Sequence, residues 1–202
     1  MAKQHIPKIR FQGFDDEWEG SKLDDLGKSS SGTAIEKFFS AEGDFKVISI
    51  GSYSEENTYR DQGIRAILNE KTKNRILNKN DLTMILNDKT SSGNIIGRVL
   101  LIDEDNTYVY NQRTQRIQLD SKYYPIYIYQ MLNADINRNK LIRAAQGNTQ
   151  IYVNWSDISK MEYSLPTLPE QESIGQLFRT LDDLISAYKK NLENYQILKT
   201  SM

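Results

Sequence analysis

Three polar segments carry side chains suited to gripping a charged polymer. Lys28-Ser29-Ser30-Ser31-Gly32-Thr33 sets four hydroxyls beside one cation, and Asn87-Asp88-Lys89-Thr90-Ser91-Ser92-Gly93-Asn94 repeats that mixture. Asn111-Gln112-Arg113-Thr114-Gln115-Arg116 supplies long amide and guanidinium side chains. Hydroxyls, backbone N–H groups and ammonium groups contact phosphate oxygens. Arginine pairs with the O6/N7 edge of guanine, and asparagine or glutamine with the N6/N7 edge of adenine. Each segment alone reads more readily as a solvated turn. Together they point toward nucleic acid.

Catalysis is poorly served by the same inventory. There is no cysteine, which excludes disulfides, thiolate metal sites and thiol nucleophiles, and the one histidine is His5. A Ser-His-Asp triad or a multi-histidine metal centre therefore lacks its parts. Gly27-Lys28-Ser29 imitates the end of a phosphate-binding P-loop, but the required glycine five residues earlier is Lys22. The four prolines, Pro7, Pro125, Pro166 and Pro169, are never adjacent and none precedes an aspartate. That excludes an Asn-Pro-Pro-Tyr/Phe adenine-methylation loop and a Pro-Asp nuclease arrangement. Asp182-Asp183 reads as solvated charge on a helix edge. No catalytic constellation, metal site or cofactor is expected, and a binding or scaffolding role is.

Composition sets the frame around these segments. The 202 residues carry 26 Lys and Arg against 27 Asp and Glu, a formal charge of −1. Bulk charge therefore cannot drive nucleic-acid binding as it does in a histone. Local charge is uneven. Asp15 to Glu19 is mostly acidic, whereas Arg60 to Lys79 holds six basic residues against Asp61 and Glu70. Asn137 to Gln150 holds Arg138, Lys140 and Arg143 and no acid. No apolar run of about 18 residues is present, and Met1 to Pro7 has no apolar signal core. A soluble, cytoplasmic protein is the expectation, with one domain of ordinary size and an appendage.

The elements that must hold the polar segments are mostly strands. Apolar runs at Phe45–Gly51, Asp81–Asn87 and Arg98–Ile102, with alternating runs at Thr107–Tyr110 and Gln115–Leu119, predict five strands. Ser91-Ser92-Gly93-Asn94 and Asp103-Glu104-Asp105-Asn106 supply the turns. Helices are predicted at Tyr124–Leu132, with Pro125 in the first turn, and at Asn137–Ala145. The fold class is α+β with a mixed or antiparallel sheet.

The last segment differs in kind. After Leu165-Pro166-Thr167-Leu168-Pro169, about 30 residues contain no proline and one glycine, Gly175. Ile174, Phe178, Leu181, Ile185, Tyr188, Leu192 and Tyr195 are spaced 4, 3, 4, 3, 4, 3, a heptad seam, and Leu177 and Leu184 widen it. A helix of roughly 45 Å would overhang so small a domain. The seam predicts a partner helix, with packing on its own domain as the alternative.

Several stretches, taken in order, resemble the DNA specificity subunit of type I restriction-modification systems. They are Ala144-Ala145-Gln146-Gly147-Asn148-Thr149-Gln150-Ile151, Trp155-Ser156-Asp157-Ile158, Leu165-Pro166-Thr167-Leu168-Pro169-Glu170-Gln171, and Leu181-Asp182-Asp183-Leu184-Ile185. Upstream, Pro7-Lys8-Ile9-Arg10-Phe11, Trp18-Glu19, Asn80-Asp81-Leu82 and Tyr110-Asn111-Gln112-Arg113 resemble its target-recognition domain. The resemblance implies a recognition domain over 1–165 and a coiled-coil spacer helix over 166–202. It implies a non-catalytic chain without cofactors that reads half of a bipartite double-stranded DNA target. Its implied partners are methyltransferase subunits and a restriction (translocase and nuclease) subunit, while the seam itself predicts a second copy docked through it. The family's subunit usually has two such units and this chain has one, as a half-subunit or a shortened product. Loop chemistry and local charge nominate Lys28, Ser30, Ser31, Lys89, Thr90, Ser91, Ser92, Arg98, Gln112, Arg113, Arg138 and Arg143 for the DNA face, and Gln146 joins them. The competing expectation is a coiled-coil adaptor whose globular domain binds protein or RNA.

Overall fold

Alternation decides which residues meet which layer. In the computed structural model, which describes residues 7–200, the central sheet has the order β2 (Gly27–Ser31), β9 (Thr114–Leu119), β5 (Leu82–Ile85), β7 (Val99–Leu101), all antiparallel. His5 lies outside the described residues. Successive strand residues point to opposite faces. Leu82, Met84, Val99 and Ile117 therefore enter one core, while Ile85, Leu100 and Ile102 enter another.

The first core is closed by α1 (Pro125–Asn133) and α2 (Asp135–Arg143), through Tyr127, Ile128, Leu132 and Leu141. Pro125 occupies the first turn of α1, where its missing N–H costs nothing. The second core lies between the central sheet and a smaller one, β4 (Arg65–Ala66), β3 (Phe45–Ile48), β8 (Tyr108–Tyr110), in which β3 and β8 run parallel. A third cluster, with Ile35, Val47 and Val109, backs that sheet. Two short pairs complete the fold: β1 (Glu19–Lys22) with β11 (Glu162–Leu165), and β6 (Asn87–Asp88) with β10 (Ile151–Tyr152). A single-turn helix, α3 (Trp155–Ile158), joins β10 to β11.

The expected α+β class, the five strands and the two helices are present, each with ends shifted by a few residues. Lys28–Ser31 is a correction: it forms edge strand β2, not a loop. Its polar composition suits an edge, where one row of backbone groups faces water. Ser30 bonds the Tyr110 hydroxyl on one face (2.8 Å), and Ser31 donates to Gln115 on the other (2.7 Å).

The C-terminal helix α4 spans Leu168–Thr200. Its first two turns belong to the globular body. Glu170 is fully buried and accepts Arg10 Nε and Nη2, both at 2.7 Å, and Trp18 Nε1 at 3.2 Å. Gln171 receives the Tyr124 N–H (3.0 Å) and donates to the Pro166 carbonyl (2.9 Å), fixing the start of α1 to the start of α4. At Gly175 the helices touch: a Cβ there would lie 2.9 Å from the Tyr124 ring and 3.0 Å from the Tyr127 nitrogen. Beyond residue 175 every described residue of α4 is exposed. No helix among the described residues is long and apolar enough to cross a membrane.

Candidate nucleic-acid interface

Antiparallel pairing gathers segments that are distant in sequence. Ser31 at the end of β2 pairs with Gln115, and Thr114 at the start of β9 pairs with Ile85 at the end of β5. Val99, at the start of β7, closes the same end. Three connections therefore leave the sheet together: 32–34, 111–113 and 86–98. A fourth joins them, because Ile151 and Tyr152 pair with Asp88 and Asn87, seating the hairpin 146–150 against the loop 89–92. The Arg113 carbonyl accepts the Leu86 N–H (2.8 Å), and the Leu86 carbonyl accepts that of Val153 (2.9 Å).

The loop after β6 is built from below. Buried Asp88 accepts the Thr90 N–H and hydroxyl, both at 2.9 Å, and the Ile95 N–H at 3.0 Å. Gly93 takes φ +70, and a Cβ there would sit 3.1 Å from Ile151 Cδ1. Arg98 Nε donates to the Asn94 carbonyl (2.7 Å), and its Nη1 reaches Asn57 Oδ1. Arg138 Nη2 holds the carbonyls of Asn94 (2.9 Å) and Gly93 (3.3 Å).

Those contacts correct two expectations. Arg98 and Arg138 are only 9% and 6% exposed, with donors turned inward onto backbone carbonyls and, for Arg98, also onto the Asn57 side chain. As folded, they are buried and shape the loop instead of standing exposed on its surface. Burial lowers the pKa of both, and for Arg138 the facing Arg98 adds to the effect. Gln115 and Arg116 also turn inward. Gln115 is buried against Ser31, and Arg116 pairs with buried Asp81 at 2.6 Å, where desolvation raises the Asp81 pKa.

The remaining candidates sort by exposure. Lys89, Thr90, Ser91, Ser92, Gln112, Arg113, Arg143 and Gln146 are exposed at or beside the gathered end. Thr90 and Ser92 share a hydroxyl–hydroxyl bond of 2.6 Å, and the Gln112 amide is held by Glu36 at 2.8 Å. Lys28 is exposed on β2, about 10 Å along the strand from Ser31. One residue of this end was not nominated from sequence. Arg75 bonds the Ser31 carbonyl (2.6 Å), the Tyr110 hydroxyl (3.1 Å) and Thr33 Oγ1 (3.1 Å), and lies over the Tyr110 ring. Its only signal was membership of the basic stretch from Arg60 to Lys79.

The fold also gathers a group of carboxylates at the other end of the sheet, although Glu36 and Glu55 remain beside the loop end. Asp24, Asp25, Asp103, Glu104, Asp105 and Asp120 flank the opposite end of the central sheet, so Lys89, Arg113 and Arg143 stand away from them. A cavity of about 1150 Å³ lies at that acidic end, bordered by Asp16, Glu17, Glu19 and Asp25. The polar loops are an open surface, the form a polymer requires.

The sequence matches the type I restriction modification DNA specificity domain over residues 15–195. The chain belongs to that family. Solved structures share the fold of this specificity domain. The S subunit of the type I restriction-modification system from M. genitalium is 17% identical, with a TM-score of 0.66 over 92% of this chain and 44% of that one. The HsdS subunit from Thermoanaerobacter tengcongensis is 11% identical, with a TM-score of 0.62 over 92% and 41%. A chain from a type I R-M system, in a structure addressing complex assembly and conformational transition, is 10% identical, with a TM-score of 0.62 over 93% and 43%. The specificity domain thus spans less than half the length of these structures. No curated protein sequence matches it. The motif residues Arg10, Trp18, Glu170 and Gln171, which carried the resemblance, are the clamp that joins α4 to the domain.

Of the heptad seam, Ile174 packs on the domain's own core. Phe178, Leu181, Ile185, Tyr188, Leu192 and Tyr195 are 42–73% exposed, so the seam is not consumed by its own domain.

Proposed function

We propose that this chain is a non-catalytic specificity component that reads one half of a bipartite duplex DNA target through the gathered loop end. Four segments scattered between residues 31 and 150 meet at one sheet end and expose hydroxyls, amides and cations there; that convergence carries the reading. Lys89 and Arg143 serve as phosphate contacts, and Gln112 and Gln146 as base-edge contacts. Because few cations are available, methyltransferase subunits complete the grip on the duplex, and the restriction subunit joins that assembly.

The exposed seam from Phe178 to Tyr195 takes an equivalent helix from a second copy of the chain, antiparallel to the first. The matching solved structures are more than twice as long, which is consistent with two such units in one assembly. The helix beyond residue 175 extends about 38 Å, enough to hold two reading ends more than one duplex turn apart. A twofold pair would read a site whose two ends are palindromic.

The test is to co-express the chain with its methyltransferase subunit and map methylated adenines. A bipartite palindrome with a fixed gap is expected. Phe178→Asp and Leu192→Asp should reduce the assembly to one copy and abolish that pattern. An asymmetric site would refute the symmetric pairing, and a dimeric mass retained by both variants would refute the seam.

A further inference from the structure

Among the described non-glycine residues, four have positive φ: Asn57, Asn80, Asn106 and Arg113. Asparagine tolerates this left-handed region because its short side chain bonds locally, whereas arginine has no such compensation. A turn at 111–114 would form with less strain around glycine or asparagine. The fold gives the arginine no alternative employment: Arg113 is exposed, and no ion pair or side-chain hydrogen bond to it occurs among the described residues.

The turn that carries it is rigid on both flanks. Buried Asn111 accepts the Ile35 N–H (3.1 Å) and donates to Glu36 (3.0 Å), and Gln112 donates to the same carboxylate oxygen (2.8 Å). The Arg113 carbonyl is fixed to the Leu86 N–H at 2.8 Å. A long, forked, permanently charged side chain thus stands on a fixed base at the centre of the loop end. Precise placement suits readout of a base edge, whereas a phosphate contact needs only charge on a flexible stem.

We propose that Arg113 is a base-reading side chain of this domain, pairing with the O6 and N7 atoms of one guanine in the major groove of its half-site. This rests on the loop end being the DNA-facing surface. The two ideas separate experimentally through Arg113→Gly and Arg113→Lys, each assembled with the methyltransferase subunit. Glycine should fold at least as well as the parent, since it adopts positive φ freely. Lysine keeps the charge and loses the fork.

Binding would be measured by competition against duplexes carrying every substitution at each position of the methylated site, over a range of salt. Both variants should lose discrimination at one guanine by about 5- to 150-fold, with the other positions unchanged. Arg113→Lys should keep the parent's salt slope. A uniform weakening in Arg113→Gly, reversed by lysine, would make Arg113 a phosphate contact and overturn the proposal while sparing the DNA-facing end. Unaltered discrimination in both variants would also overturn it. A parent assembly with no sequence preference would overturn the DNA-facing reading itself.

Discussion

Replacing Glu170 with alanine tests whether the clamp at the base of α4 holds the helix to the domain. Its carboxylate has no solvent exposure and receives three donors, two from Arg10 and one from Trp18. Arg10 retains a narrow path to water, since its side chain is 13% exposed, so its lost bonds are only partly replaced by hydration. The half-buried indole N–H of Trp18 loses its acceptor, and the removed carboxylate leaves a void beneath the helix. Stranding a donor in this way costs about 1–3 kcal/mol. For a chain of this size each kcal/mol moves the midpoint by about 2–4 °C, so a central cost near 2 kcal/mol lowers it by about 4–8 °C.

Calorimetry would measure that fall, and tryptophan emission would localise it. Trp18 and Trp155 are the only tryptophans, so the experiment is run in a Trp155→Phe background. Emission should shift to the red when the first turns of α4 loosen. Trp18→Phe combined with Glu170→Ala should be less destabilising than the sum of the single changes, because both remove the same bond. A midpoint within 1 °C of the parent and unchanged emission would refute the clamp.

Gly175→Ala should destabilise the junction of α1 and α4 by about 1–3 kcal/mol from overpacking, less about 1 kcal/mol of improved helix propensity, as read by urea midpoints. Arg138→Met leaves the Gly93 carbonyl without its side-chain donor and the Asn94 carbonyl with Arg98 Nε alone. It should cost about 1–3 kcal/mol, raise hydrogen exchange across residues 89–96, and weaken DNA binding by loosening the loop that Arg138 supports. The pKa of Glu36 is lowered, first by the Asn111 amide. Its contribution is therefore complete above the usual carboxylate range and is lost as pH falls through the lowered value. NMR shifts of Asn111 and Gln112 should follow that titration, and Glu36→Gln should remove it.

How much of this was legible beforehand follows from the range of each interaction. Strands such as Leu82–Ile85 and the helix opening at Pro125 announced themselves because an apolar run and a first-turn proline are signals only a few residues long. The heptad seam did so for the same reason. Edge strand β2 did not, since Gly-Lys-Ser-Ser-Ser has no apolar alternation and is held by its pairing with Thr114–Leu119. The short strands β6 and β10 escaped notice because two-residue pairings leave no period.

Arginine is the sharper lesson. In sequence, Arg98, Arg113 and Arg138 look alike, each a cation beside a polar turn. Tertiary structure separates them: inward carbonyls of one loop capture Arg98 and Arg138, and a left-handed turn sends Arg113 outward. The sequence by itself determined the α+β class, the long C-terminal helix and its apolar seam, and the polar segments. Only the tertiary structure decided that four of those segments share one sheet end, which cations face water there, and that Glu170 and Gln171 fasten the helix to the domain. Register between distant strands sets all three, and register is fixed by the burial of whole faces, which no local pattern records.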